Sequence, residues 1–141
     1  MTAIQRRTHS SYEYLKGLLT GETITALSAT LHLGFDPTEK PASWRGVSLQ
    51  AGGGALLDSG YHMIDLAFYF LSHFNLIDAN VWFNGQLGTA EMLDTDASLV
   101  GRSGQTWVRI ESRVGGEQKD GRYQKKELIE IQTESDNQSL V

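Results

Sequence analysis

The sequence contains no cysteine, which removes disulfide frameworks, thiolate zinc centres and cysteine nucleophiles together. Any chemistry must come from oxygen and imidazole groups. Proline is nearly absent too, with two in 141 residues, and no apolar run approaches the roughly 18 residues of a membrane span, so no membrane partner is expected. Basic charge is scarce: 12 Lys and Arg against 17 Asp and Glu give a formal net charge of -5. The basic residues are scattered, with Arg6-Arg7 and Lys125-Lys126 the only adjacent pairs. Counterion release along a phosphate backbone needs a clustered basic surface, so nucleic acid is not an expected partner either. The N-terminal MTAIQRRTHSSYEY lacks the apolar core of a signal peptide, which makes the cytoplasm the expected location.

What is present fits one domain over residues 1–141. A helix is predicted from Ser10, where SSYE offers a capping box between Ser10 and Glu13; Leu15, Leu18 and Leu19 form its apolar face and Gly21 ends it. From Ile24 to Leu33 the period changes to two, as in a half-buried strand. Residues 34–54, GFDPTEKPASWRGVSLQAGGG, hold both prolines and three consecutive glycines, a loop long enough to serve as a cleft wall. A helix apolar almost all round follows, from about Leu57 to Ser72. The second half alternates again through IDANVWFNG, DASLVGR, TWVRIESRV and KELIEIQT, with a hairpin turn at Ser103-Gly104. The fold class is α+β: an open, mainly antiparallel sheet of four or five strands, with helices packed on one face.

The few polar residues of the apolar helix are concentrated. Asp58, His62, Asp65 and Tyr69 follow at steps of four, three and four, so at α-helical pitch they share one stripe. A carboxylate one turn before a histidine can hold the imidazole in one tautomer and raise its pKa, leaving the other nitrogen to exchange a proton near neutral pH. The same spacing also suits a capping aspartate with a hydrogen-bonded buried histidine. A third possibility is an O/N/O face of Asp58, His62 and Asp65 for a divalent ion, as in a metal-dependent hydrolase, though no further ligand stands out in the sequence.

The run GGGALLDSGYHMIDLAFYFL, Gly52 to Leu71, resembles the GGG-x-L-x-D-x-G-x-H-x-x-D segment of the Gfo/Idh/MocA family of NAD(P)-dependent sugar and cyclitol oxidoreductases. Gln5 to Phe35 resembles the helix and strand that open the family's C-terminal domain, and SWRG, Ser43 to Gly46, its tryptophan-containing loop. The resemblance is close over the first half and one of pattern after it. It implies a C-terminal domain of the glyceraldehyde-3-phosphate dehydrogenase C-terminal-like type, acting on a sugar, cyclitol or related polyol. His62 would be the proton-exchanging residue and Asp58 its acidic neighbour, with Asp65, Trp44 and Arg7 on the substrate side.

The resemblance further implies NAD or NADP in the full-length enzyme, bound by an N-terminal Rossmann domain in cis, and a homo-oligomer formed through the open sheet face. No strand followed by G-x-G-x-x-G and a helix occurs in the chain, so no cofactor-binding residue and no resident metal is expected here. The chain alone is expected to be inactive. Glu39-Lys40-Pro41 repeats the letters of the family's catalytic lysine motif but follows the first strand, on the wrong side of the QRR helix, and is not matched to it. The alternative on the same scaffold is a non-catalytic polyol-binding or dimerisation module.

Overall fold

Alternation builds the centre of the sheet. In the computed structural model of the chain, which describes residues 6–33, 53–83, 86–87, 94–115, 118–135 and 137–140, strand β1 (Ile24–Leu33) buries Leu27, Ala29 and Leu31 on one face. Trp44, Glu39-Lys40-Pro41 and the 34–54 loop before Gly53 lie outside the described residues. Strands β2 (Asn75–Phe83), β3 (Gln86–Leu87), β4 (Asp96–Ser103) and β5 (Thr106–Val114) follow. A small separate ribbon comprises β6 (Gln118–Lys119) and β7 (Arg122–Tyr123), and β8 (Lys126–Thr133) and β9 (Asn137–Leu140) complete the sheet. The main sheet has seven strands in the order β3-β2-β4-β5-β1-β8-β9: five long strands, as expected, and a short one at each edge.

β1 lies between β5 and β8, parallel to β5 and antiparallel to β8; every other pairing is antiparallel. This one parallel pair departs from a purely antiparallel succession of strands. Its register explains the placement, since Leu27 faces Val108 and Ile131 while Ala29 faces Ile110 and Ile129, so apolar residues on three strands join in one layer. Two helices cover that layer, α1 (Ser10–Leu18) and α2 (Tyr61–Leu71), contributing Leu15, Met63, Leu66 and Ala67 to the core. None of the described helices is long and apolar enough to cross a membrane.

Both helix starts differ from the sequence expectation. A 3₁₀ turn, Arg6–Thr8, leads into α1, and the capping residue is His9, whose Nδ1 accepts the Ser11 amide at 3.4 Å. The Glu13 amide donates to the His9 carbonyl at 3.2 Å, so the Ser10–Glu13 capping box gives way to a cap one residue earlier. The second helix is preceded by a π turn, Leu56–Gly60, in which the Tyr61 amide reaches back to the Leu56 carbonyl. Its cause lies across the core. The Ala55 carbonyl accepts the hydroxyls of Ser59 and Ser112, each at 2.8 Å, and these two oxygens are 2.8 Å apart. A Cβ at Gly60 would stand 3.2 Å from Ser112 Cβ, so glycine permits the close approach of the turn to β5. The wider turn takes Asp58 out of α-helical phase with His62, Asp65 and Tyr69.

The opposite sheet face carries no helix among the described residues. There Ala26, Ser28, Ser98, Val100, Trp107 and Glu130 line a shallow hollow of about 480 Å³. Trp107 is 49% exposed, and the Arg102 guanidinium lies 4.2 Å from the centre of its ring.

Candidate functional site

Two consecutive arginines organise the helix-covered side. Arg7 forks onto Asp65 of α2, with Nε donating to Oδ2 at 2.7 Å and Nη2 to Oδ1, and Nη2 also meets the Asp65 carbonyl at 3.5 Å. Arg6 forks onto Glu127 of β8, Nε to Oε1 at 2.8 Å and Nη2 to Oε2 at 3.1 Å. The Tyr12 hydroxyl of α1 donates to the same Oε1 at 2.7 Å, and Lys125 Nζ stands 3.3 Å from Oε2. Burial alone would push the Glu127 carboxyl up, but the bonds from Arg6 and Tyr12 and the charge of Arg6 hold it down at about 2. The Tyr12 hydroxyl is raised above its ordinary value, first by burial and then by the bond it donates to Glu127.

His62 stands in the first turn of α2, with the Tyr61 ring at 3.9 Å between centroids and an interplanar angle of 35°. Its pKa is lowered from the ordinary 6.5, by burial first and by the charge of Arg6 second, against the opposing charges of Glu127, Asp65 and Asp58. This is the reverse of the rise expected from a neighbouring aspartate. Among the described residues Nδ1 of His62 is buried and has no hydrogen-bond partner, so the expected bond to the Asp58 carboxylate is not formed at that nitrogen. An unsatisfied buried polar atom costs about 1–3 kcal/mol, and such atoms are uncommon enough to mark functional sites.

Of the stripe residues, Asp65 and His62 thus share one site with Arg7, and Asp58 acts on His62 through charge. Tyr69 does different work: Lys16 Nζ donates to its carbonyl at 2.8 Å and sits 3.8 Å from its ring centre, which ties α1 to α2. Among the described residues no three His, Asp or Glu side chains are placed to hold a metal ion.

Three participants were not singled out from the sequence: Arg6, Glu127 and Asp94. Glu127 was findable, because it shares the buried phase of β8 with Ile129 and Ile131, where a carboxylate needs a partner. Asp94 carries no local signal. Its Oδ1 accepts the Gly54 amide at 2.8 Å, its Oδ2 the Leu56 amide at 2.7 Å, and its carbonyl the Ala55 amide at 2.7 Å. A Cβ on Gly54 would fall 1.9 Å from that carbonyl oxygen. The amides of Gly54, Ala55 and Leu56 at this helix start are therefore all engaged by Asp94.

A family model described as the GFO/IDH/MocA C-terminal domain matches residues 19–118. Levoglucosan dehydrogenase, solved in complex with NADH and levoglucosan, is 24% identical over 95% of this chain and 38% of its own, with a TM-score of 0.70. Scyllo-inositol dehydrogenase from Lactobacillus casei, with bound NAD(H) and scyllo-inositol, is 17% identical over 100% of this chain and 41% of its own, at 0.75. The WlbA dehydrogenase from Bordetella pertussis, in complex with NADH and UDP-GlcNAcA, is 14% identical over 94% and 40%, also at 0.75. No curated protein matches the chain. The solved structures share its α+β fold, and the chain spans 38–41% of their length.

Proposed function

The chain belongs to the GFO/IDH/MocA C-terminal domain family, and on that premise we propose that it is the substrate-binding half of an NAD(P)-dependent oxidoreductase. The reaction is reversible oxidation of a secondary alcohol on a sugar, cyclitol or related polyol. The nicotinamide, which accepts or returns the hydride, belongs to a Rossmann domain in cis and not to these residues, consistent with the closed glycine turn at Asp94. A cytoplasmic location goes with this reading.

The observation that carries the proposal is His62, a partly buried imidazole with an unpartnered Nδ1, set among Arg6, Glu127, Asp65 and Asp58. Burial and the charge of Arg6 lower its pKa and so favour the neutral ring, which takes the hydroxyl proton as the alcohol is oxidised; as imidazolium it returns that proton in the reverse direction. The carboxylates of Asp58 and Asp65 favour the imidazolium once it forms. Arg7, held by Asp65 but still 40% exposed, offers its outer edge to substrate hydroxyls.

A second reading, a dimerisation module that binds polyol without redox chemistry, draws support from the hollow around Trp107 on the uncovered face. In either case that face is the contact for a second copy of the chain.

The test replaces His62 with alanine in the protein joined to its nicotinamide domain. Turnover of the polyol should fall by about 10²–10⁴, the usual span for loss of a general acid/base. Unchanged turnover would remove His62 from the mechanism, and micromolar NAD(H) binding by the isolated chain in calorimetry would overturn the division of labour.

A further inference from the structure

We propose that two copies of the chain meet face to face on the uncovered side of the sheet about a two-fold axis running along β1, so that Arg109 of each copy lies against Glu130 of the other. The proposal rests on the reading that this face receives a second copy. It adds the orientation and the charge pair that sets it, and the two can fail separately.

Strand register carries the argument. β1 runs through the hollow between β5 and β8, and its residues there, Ala26 and Ser28, are small. Ala26 is flanked by Trp107 on β5 and Gln132 on β8, and Ser28 by Arg109 and Glu130. All six line the same hollow. A cation and an anion therefore stand at one level, one strand to either side of β1, roughly 10 Å apart at interstrand spacings of about 4.8 Å. Both keep bonding capacity toward solvent. Arg109 Nη2 donates to Glu111 Oε1 at 2.5 Å, but the side chain is 63% exposed and that bond uses only one of its N–H groups. Among the described residues the exposed Glu130 carboxylate has no ion-pair partner.

Two identical faces packed together are related by an axis lying in the plane between them. Along β1 such an axis exchanges the two sides but keeps the level. β5 of one copy then lies over β8 of the other, Arg109 over Glu130 and Trp107 over Gln132, with each contact made twice. Across β1 at the level of the hollow, the axis keeps the side and reverses the level. Arg109 then meets Arg109, or the Trp107 ring that the Arg102 guanidinium already covers at 4.2 Å, and Glu130 meets no cation. Charge complementarity selects the first arrangement. Aligned sheets pack about 10 Å apart with their strands within about 30° of each other, a gap that an arginine and a glutamate span together above the low floor of Ala26 and Ser28. Arg113, further along β5, is closed by Asp96 and does not oppose Lys126 of the second copy as a free charge.

The experiment measures the dimer dissociation constant of the chain by sedimentation, with charge reversals on either side of the pair. Arg109→Glu sets carboxylate against carboxylate twice, and Glu130→Arg sets guanidinium against guanidinium twice; each should weaken the dimer by about 100-fold, about tenfold for each of the two contacts. The first variant makes an acidic chain more acidic and the second makes it less so, so a loss in both is not an effect of net charge. An equimolar mixture of the two variants again joins a carboxylate to a guanidinium at both contacts and should return to within about tenfold of the parent, as should the double variant. Glu130→Arg has no side-chain ion pair within the described chain to lose, and it carries the test if Arg109→Glu does not fold. A parent dimer indifferent to the reversals, a Glu130→Arg dimer tighter than the parent, or a mixture that binds far more tightly than the parent would overturn this orientation and leave the second-copy reading standing. A parent that sediments as a monomer would sink both.

Discussion

Glu127→Gln should cost stability at neutral pH and lose that cost in acid. The wild-type carboxyl is held down at about 2 against an ordinary 4.5, and at about 1.4 kcal/mol per pH unit this sets an upper limit of about 3.5 kcal/mol. The side chain keeps 22% of its surface in contact with solvent, and screening brings the expectation to about 2 kcal/mol. Because the folded-state pKa is depressed, the contribution is complete above about pH 4.5 and declines as pH falls towards 2. By pH 3 more than half of it is gone. Urea unfolding of parent and variant at a series of pH values from about 7 to 3 measures the difference directly, provided the denaturant slope stays equal in the two proteins. The difference should narrow from about 2 kcal/mol at pH 7 to less than about 1 at pH 3. A difference that stays constant with pH would show that the ion pair does not depress Glu127, and that the substitution acts only through lost packing.

Two further outcomes follow from the geometry. Asp94→Ala removes acceptors for the Gly54 and Leu56 amides and should destabilise the chain by about 2–3 kcal/mol in chemical denaturation; a loss under about 0.5 kcal/mol would mean that the helix start is held by other contacts. Trp107→Glu places a charge in the hollow of the uncovered face and should convert a dimer to monomer in sedimentation with the far-UV spectrum unchanged. A dimer that persists would move the interface elsewhere.

The sequence made the buried face of β1, β4, β5 and β8 legible, because alternation needs only its own residues: Leu27, Ala29 and Leu31 announce the buried side of β1 without reference to a partner, whereas β2 reads as alternating but is exposed along its first half. It did not make strand order legible. That β1 enters between β5 and β8, parallel to the first, depends on how Val108, Ile110, Ile129 and Ile131 complete a common layer, and no local window contains that choice. The π turn was hidden for a similar reason. Its Ala55 carbonyl is claimed by a serine 57 residues away, and its first amides by an aspartate about 40 residues away. The stripe led to His62 and Asp65 but misjudged the proton affinity of His62. An i, i+4 carboxylate was visible in the sequence; burial and Arg6, which decide the direction, were not.

Fixed charges on the helix-covered side share one design. Asp65 is closed by Arg7, Glu127 by Arg6, and the amides at the π turn by Asp94. Against that background the exceptions are informative. Among the described residues, two buried side-chain polar atoms lack a partner, His62 Nδ1 and Arg102 Nε. The first belongs to the ring that the proposed reaction uses for proton exchange. The second belongs to the guanidinium stacked on Trp107, at the face assigned to the second copy of the chain. Among the described residues, the two open buried atoms thus lie on the two groups to which the proposals give a partner, the substrate for His62 and a second copy of the chain for Arg102.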